Sequence, residues 1–417
     1  MFYLLFTFYL ALACLLVPRL PFVKKSGLSP GLLFALFLLK IFAGILIGWM
    51  SQKFYPQGND YWGLNETGWD EYKMMISNPV HFIKDIFVSQ YTDGYGGFLK
   101  STGSYWNDIR NTLITKFIGI CDLLSGGNYY INSLYFNIIC FLGHIALYRV
   151  FIDIYRGKKW QVITGCFLLP STLYFTSGIH KDLVVFTLLG FFCYGLYFSM
   201  QKGYRFRYLL TIMVSFAGIL LIRNFVALEL IPASFAFVLS QKLKRNPLLV
   251  FASVYGGGLL LLILVSLVKP SFQPVKVVAQ KQHDFLELPY ATSQLETKAL
   301  EPNFSSLAWN APQALNHSLL RPYFWEPSTK FLFPLAIELF AYQLLFVFML
   351  IKHENGISRP NAFIVMGLFL AISLLLFTGY IVPNTGSIVR YRSIYLPFLL
   401  TPILASINWK TRSGKTH

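Results

Sequence analysis

The chain is poor in charge and poorest in acid. Charged residues fill 13% of its 417 positions, with 18 Asp and Glu against 35 Lys and Arg, where a soluble chain carries roughly a quarter charged residues. That scarcity excludes disorder and an ordinary pair of soluble domains. Cysteine is scarce too. Cys14, Cys121, Cys140, Cys166 and Cys193 form no CxxC pair, so neither a disulfide scaffold nor a thiolate metal site is expected. Collagen-like triplets, heptads and internal repeats are missing, as is any inverted pair of halves of the kind many transporters carry. What is abundant is apolar surface: 55% of residues are hydrophobic and 40 are Phe. Lipid is the solvent this composition calls for.

Windows able to cross roughly 30 Å of hydrocarbon number about eleven. They fall near 2–18, 30–50, 130–148, 160–178, 182–200, 207–222, 225–240, 247–268, 331–351, 361–382 and 393–408. The first has no basic stretch before it and no small-residue cleavage site after it, so it reads as a span rather than a signal peptide. Alternate connections hold 18 basic residues against two acids, Asp153 and Glu354, while the opposite set holds 14 of the 18 acids. Positive-inside bias then places the amino terminus outside and the carboxyl terminus in the cytoplasm. Basic residues spread over short inner turns also exclude nucleic acid as the partner. The expectation is one all-α polytopic membrane domain over residues 1–417, with about 11 transmembrane helices. Two long extracytoplasmic loops, 51–129 and 269–330, interrupt it, and loops of that length usually carry function.

The first loop opens with the densest chemistry in the chain. Asp60, Glu66, Asp70 and Glu71 lie within twelve residues, interleaved with Tyr61, Trp62, Trp69 and Tyr72. Carboxylates at a membrane surface can take a proton from a hydroxyl nucleophile, so these four acids are the candidate catalytic groups, with Asp60 the preferred base. Flat rings at Tyr61, Trp62 and Trp69 suit the apolar faces of sugars, although such rings also mark the membrane interface. The competing reading is a solvated loop whose acids balance Lys53, Lys73 and Lys84. Farther on, Leu113, Phe117, Ile120 and Leu124 repeat at helical spacing, as an amphipathic helix lying on the membrane would. Gly94 to Gly97 supply a flexible break before it.

Cations on outer turns oppose the charge bias and need their own explanation. His180 and Lys181 occupy the tight turn Ser177–Asp182, Arg223 the next outer turn, and Arg390 and Arg392 the segment before the last span. A phosphate at the interface would explain them, since guanidinium groups grip it in a fork and Lys adds a point charge. Lipid head groups or the acidic loop are the alternatives. Glu229, one and a half turns below Arg223, is expected to pair with it. Lys40 and Glu338, also inside spans, have no assignment.

Acids in the first large outer loop, surface helices after it and cations on later outer turns resemble the GT-C superfamily of polytopic glycosyltransferases. The resemblance rests on Gly58-Asn59-Asp60, Asp70-Glu71-Tyr72, the turn Ser177–Asp182 and the stretch Gly386 through Arg392. In that superfamily the acidic loop usually follows the first span, whereas here an added hydrophobic segment precedes it, which leaves the choice between Asp60 and Asp70 open. The resemblance implies a polyprenyl-phosphate-linked sugar donor. It implies a glycan, lipid or protein acceptor, and transfer with inversion on the outer face of a bacterial inner membrane. No cofactor is firmly indicated, though a divalent cation, Mg or Mn, fits between clustered acids and phosphate. An O-antigen or polysaccharide polymerase or ligase is the rival reading, and a transporter or lipid flippase the more distant one.

Overall fold

The computed structural model describes residues 2–54, 59–87, 105–269, 271–287, 293–326, 330–352 and 360–409. It is all-helical. Among the described residues, strand-like pairing is confined to isolated bridges, one of them between Gln294 and Asn384.

The chain enters through α1 (Phe2–Leu16), the single turn α2 (Pro21–Lys24) and α3 (Pro30–Phe54). The first loop follows as α4 (Asp60–Ser77), α5 (Pro79–Lys84) and α6 (Tyr105–Ser125). The central helices are α7 (Tyr129–Ile154), α8 (Lys159–Phe167), α9 (Pro170–Phe175), α10 (Lys181–Lys202), α11 (Phe206–Ile222), α12 (Asn224–Leu243) and α13 (Pro247–Val268). The second loop holds α14 (Pro274–Leu286), α15 (Phe304–Leu315) and a π-helical turn, Asn316–Leu320. The chain ends with α16 (Leu332–Ile351), α17 (Ala362–Ile381) and α18 (Thr385–Ser406).

Among the described residues, eight helices are long and apolar enough to cross a membrane: those beginning at Phe2, Pro30, Tyr129, Lys181, Asn224, Pro247, Leu332 and Ala362. Three expected spans depart from that standard, each for a local reason. The segment 160–178 breaks into α8 and α9 at Pro170, whose ring and missing N–H end one helix and start the next. The helix α11 stops at 17 residues. The helix α18 carries Arg390, Arg392, Pro397 and Pro402 and is buried along most of its length.

The broken helix explains two of the buried charges. Glu338, on α16, accepts hydrogen bonds at Oε1 from Ser171 N at 2.9 Å and Ser171 Oγ at 3.0 Å, so a carboxylate meets the freed donors at the start of α9. Lys40, on α3, donates to Thr176 O at 2.5 Å and Thr176 Oγ1 at 2.7 Å, placing a cation on the last carbonyl of the same short helix. Each charge sits at the end whose dipole it complements. Together they fix the segment that runs into the turn at residues 177–180.

The main core joins α3, α7, α10, α12, α17 and α18 through residues such as Phe37, Phe141, Phe186, Phe237, Phe363 and Tyr395. The first loop packs beside it as the helix pair α4 and α6. Gly68 permits the close crossing, since a Cβ there would stand 2.3 Å from Ile118 Cγ2. The expected surface helix is α6. Its stripe Phe117, Ile120 and Leu124 is exposed, while Ile114, Ile118 and Cys121 face inward. The break at 94–97 lies outside the described residues. The second loop docks through Leu295 and Ala314 onto Tyr380, Ile381 and Ile388 at the end of α17 and the start of α18.

Candidate active site

Four segments meet at one end of the bundle. Asn59 starts α4: its side-chain oxygen accepts from Tyr61 N at 3.1 Å and Trp62 N at 3.5 Å. That cap makes Asp60 the first helical residue, where the helix dipole favours a carboxylate. Trp62 Nε1 then donates to Gly48 O at 3.0 Å, tying α4 to the end of α3.

The second segment is the turn after α9. Gly178 has φ +88°, and a side chain there would strike Ile47 Cγ2 at 2.8 Å. Backbone conformation and space both call for glycine. The turn delivers His180 to the N-cap of α10, with Asp182 in the first turn of that helix. Arg223 arrives from the junction of α11 and α12. Arg390 arrives from α18, whose start is fixed by Asn384 accepting from Ser387 N at 3.1 Å.

These residues form a connected array of charge. Arg390 Nη1 lies 3.3 Å from Asp60 Oδ2, and Arg390 Nε lies 3.3 Å from Asp182 Oδ2. Arg223 Nη2 contacts Asp182 Oδ1 in a short ion pair. His180 stands between the two acids, with Nε2 3.6 Å from Asp60 Oδ2 and Nδ1 2.9 Å from Asp182 Oδ2. Nδ1 is also 3.2 Å from the Asp182 backbone N. A protonated Nδ1 donates to the carboxylate; an unprotonated one accepts from the N–H. Tyr391 lies beneath both guanidinium groups, at 4.2 Å from Arg223 and 5.4 Å from Arg390. Stacking of this kind holds a guanidinium plane in place.

Burial grades the array. The Asp182 side chain is 0% exposed and Asp60 is 60% exposed, so one acid anchors the cations while the other is open to solvent. His180 and then Arg390 hold the Asp60 carboxyl well below the usual carboxylate range, against the partial burial that raises it. Lys181 is within electrostatic reach of Asp60, Asp182, Arg223 and Arg110. With His180 neutral and Lys181 protonated, three cations (Lys181, Arg223, Arg390) against two carboxylates leave one net positive charge.

The other candidate residues sit elsewhere. Glu71 is buried against Lys116 Nζ at 2.7 Å, which also reaches Asp85 at 3.4 Å and lies 4.3 Å over the Phe82 ring. It binds α4 to α6. Asp70 pairs with Lys73 at 3.0 Å on the surface, and Glu66 is exposed on the same helix. Arg392 does not join Arg390, because two positions along a helix turn the side chain by about 200°. Its Nη1 donates instead to Ser318 O at 3.0 Å and Arg321 O at 2.8 Å. The proposed sugar platforms are occupied by protein. Tyr61 packs on His180 with ring centroids 5.0 Å apart, Trp62 stacks on Tyr129 at 4.3 Å, and Trp69 stacks on Tyr72 at 4.8 Å. Arg223 pairs with Asp182 rather than Glu229, which meets Ser373 and Tyr255.

Asp182 is the member that sequence reasoning left without a role. A lone acid after His-Lys reads as local charge balance, and its meaning depends on arginines 41 and more positions away. A divalent cation does not fit this donor set, because both acids already face His180 and two guanidinium groups. Among the described residues, no three His, Cys, Asp or Glu side chains group as metal ligands. No protein-family model, curated protein or solved structure matches the chain.

Proposed function

We propose that the chain is a membrane glycosyltransferase that moves one sugar from a polyprenyl-phosphate donor to an acceptor hydroxyl. In this reading about eleven segments cross a bacterial inner membrane, including α11, α18 and the broken pair α8 and α9. The active site lies on the extracytoplasmic face. The observation that carries the proposal is the meeting of Asp60 with Arg390 and His180, to which Arg223 is joined through Asp182. A reachable carboxylate beside a cluster with surplus positive charge offers a base and an anion site side by side.

The chemistry follows from that pairing. The acceptor oxygen attacks the anomeric carbon and its proton passes to Asp60. The bond from that carbon to the phosphate oxygen breaks, and its electrons leave with the lipid phosphate. Base assistance of this type contributes roughly 10²–10⁴-fold. Arg390, Arg223 and Lys181 stabilise the growing charge on the phosphate, more in the transition state than before it. As the side chains stand, His180 and Arg390 depress the basicity of Asp60. A donor phosphate that draws Arg390 onto itself restores that basicity, so the base strengthens as the donor binds.

The transporter reading expects intramembrane charges that converge on a cavity. Lys40 and Glu338 instead cap opposite ends of α9, and Glu229 meets Ser373. The proposal is tested with membranes holding equal amounts of wild-type and Asp60→Asn protein, supplied with radiolabelled lipid-linked sugar. Undiminished transfer by the variant removes Asp60 as the base.

A further inference from the structure

The second loop and the starts of α16 and α18 border an open cavity of about 1240 Å³ that the charged array does not line. It exceeds the roughly 300–1,000 Å³ of ordinary small-molecule pockets. Its walls are neither apolar nor strongly charged. Lys298 and Arg321 are balanced by Glu296 and Glu326, and Arg321 is bound to Glu326 in a tight ion pair. The remainder is rich in hydroxyl and amide groups, among them Ser293, Thr297, Asn310, Gln313, Asn316 and Thr385.

Two side chains point to a ligand. His317 lines the cavity and is 2% exposed, yet its Nδ1 has no hydrogen-bond partner among the described residues. A buried ring nitrogen left so is costly unless something fills the place. Trp309, also in the lining, is 84% exposed, a flat apolar face turned outward beside polar walls. Charge balance disfavours a phosphate, and the amide and hydroxyl lining disfavours a lipid tail. An apolar ring face beside groups that exchange hydrogen bonds matches one chemistry, that of sugars.

We propose that this cavity binds a neutral saccharide of more than one sugar unit, stacked on Trp309 and hydrogen-bonded through His317. It is the acceptor's seat, an assignment that rests on the transferase reading, whereas the binding itself does not. The helix α18 joins the two sites. Thr385 lines the cavity, and Arg390 follows five residues later, about 7–8 Å along the helix axis. The wall is fastened to that helix by Thr385 N donating to Ser293 O at 2.9 Å and Leu295 N donating to Pro383 O at 2.8 Å. The floor is fastened by Arg392, whose guanidinium holds the carbonyls of Ser318 and Arg321. The arginine that does not reach the charged array thus holds the saccharide cavity against the helix that does.

Calorimetric titration of the full-length protein in nanodiscs tests this with three probes: maltotriose, triacetylchitotriose and trigalacturonate. At least one neutral trisaccharide binds, more tightly than the acidic one. Trp309→Ala weakens it about tenfold, the scale of one lost stacking contact, while Trp309→Phe recovers part of the loss. His317→Ala weakens it as well, with no fall in melting temperature. Failure of both neutral probes to bind wild type overturns the proposal. So does binding indifferent to Trp309→Ala and His317→Ala, or a preference for trigalacturonate. If Trp309 controls binding but Asp60→Asn still transfers sugar, the transferase reading falls and the saccharide site stands.

Discussion

Arg390 and Asp60 are 330 positions apart in the chain and 3.3 Å apart in the fold. The contact closes the first loop onto the last helix, and it determines how basic Asp60 is. Arg390 bonds to Asp60 and faces Asp182 with a different nitrogen. A ligand anion that takes the Asp60 side of the guanidinium therefore leaves the Asp182 side in place. On this basis Arg390→Gln lowers transfer by roughly 10²–10³-fold, as removal of a donor at a developing anion does. The loss appears in kcat as well as KM. A change in KM alone assigns Arg390 to ground-state binding.

On the transferase reading, the acidic limb of the pH–rate profile separates the free from the donor-bound protein. In the free enzyme His180 and Arg390 lower the Asp60 pKa, so the limb of kcat/KM lies below the usual carboxylate value. Once phosphate draws Arg390 away, the limb of kcat moves to higher pH. Arg390→Gln shifts the kcat/KM limb upward, because a cation that favours the ionised form is gone. Coincident limbs in wild type contradict the exchange of partners.

The same depression makes Asp60 a source of acid lability. Its folded pKa is lower than its unfolded one, so its ionised form stabilises the fold. That contribution is complete above about pH 5 and is lost as pH falls below about 4 toward the folded value. Solvent screening keeps it modest, as the side chain is 60% exposed. Melting temperature measured from pH 6 to pH 3 therefore falls less in Asp60→Asn than in wild type.

Asp182 carries more of the site's stability than Asp60. Its buried carboxylate is the shared counter-ion of Arg223, Arg390 and His180. Asp182→Asn leaves those groups facing one another without it, and removing one partner of a buried pair costs about 3–5 kcal/mol. Unfolding in mixed micelles measures the loss. Pairing the change with Arg223→Met recovers part of it, because one of the stranded charges goes too.

What could be read from sequence was anomaly; what could not was pairing. Asp60 and Arg390 stood out because one belongs to a dense acid cluster and the other defies the charge bias of its side of the membrane. Residue spacing along one helix does not say which of Asp60, Glu66, Asp70 and Glu71 will face another helix. Only the crossing at Gly68 turns Glu71 toward Lys116 and leaves Asp70 in solvent. Trp62 and Trp69 fail as platforms for the same reason, since a ring's availability depends on which neighbour covers it. The break at Pro170 was in principle visible, because a proline within an apolar run interrupts it. The apolar run itself outweighed that signal.

Glu71 separates a structural acid from a reacting one. With Lys116 it forms a buried pair that joins α4 to α6 at 2.7 Å, and Phe82 and Asp85 close around the ammonium group. Glu71→Gln therefore lowers stability, though by less than the roughly 3–5 kcal/mol of a fully stranded buried charge, because Asp85 still faces Lys116 at 3.4 Å. Turnover per folded molecule stays within about twofold of wild type, in contrast to the roughly 10²–10⁴-fold expected of the base. Replacing both partners, Glu71→Leu with Lys116→Met, removes the buried pair and restores part of the stability, since well-packed apolar pairs substitute for buried ion pairs at little cost while Asp85 loses its cation. Parallel titration of folded protein and transfer rate distinguishes the two outcomes. A Glu71→Gln protein that folds normally but transfers no sugar would return the catalytic role to the middle of α4.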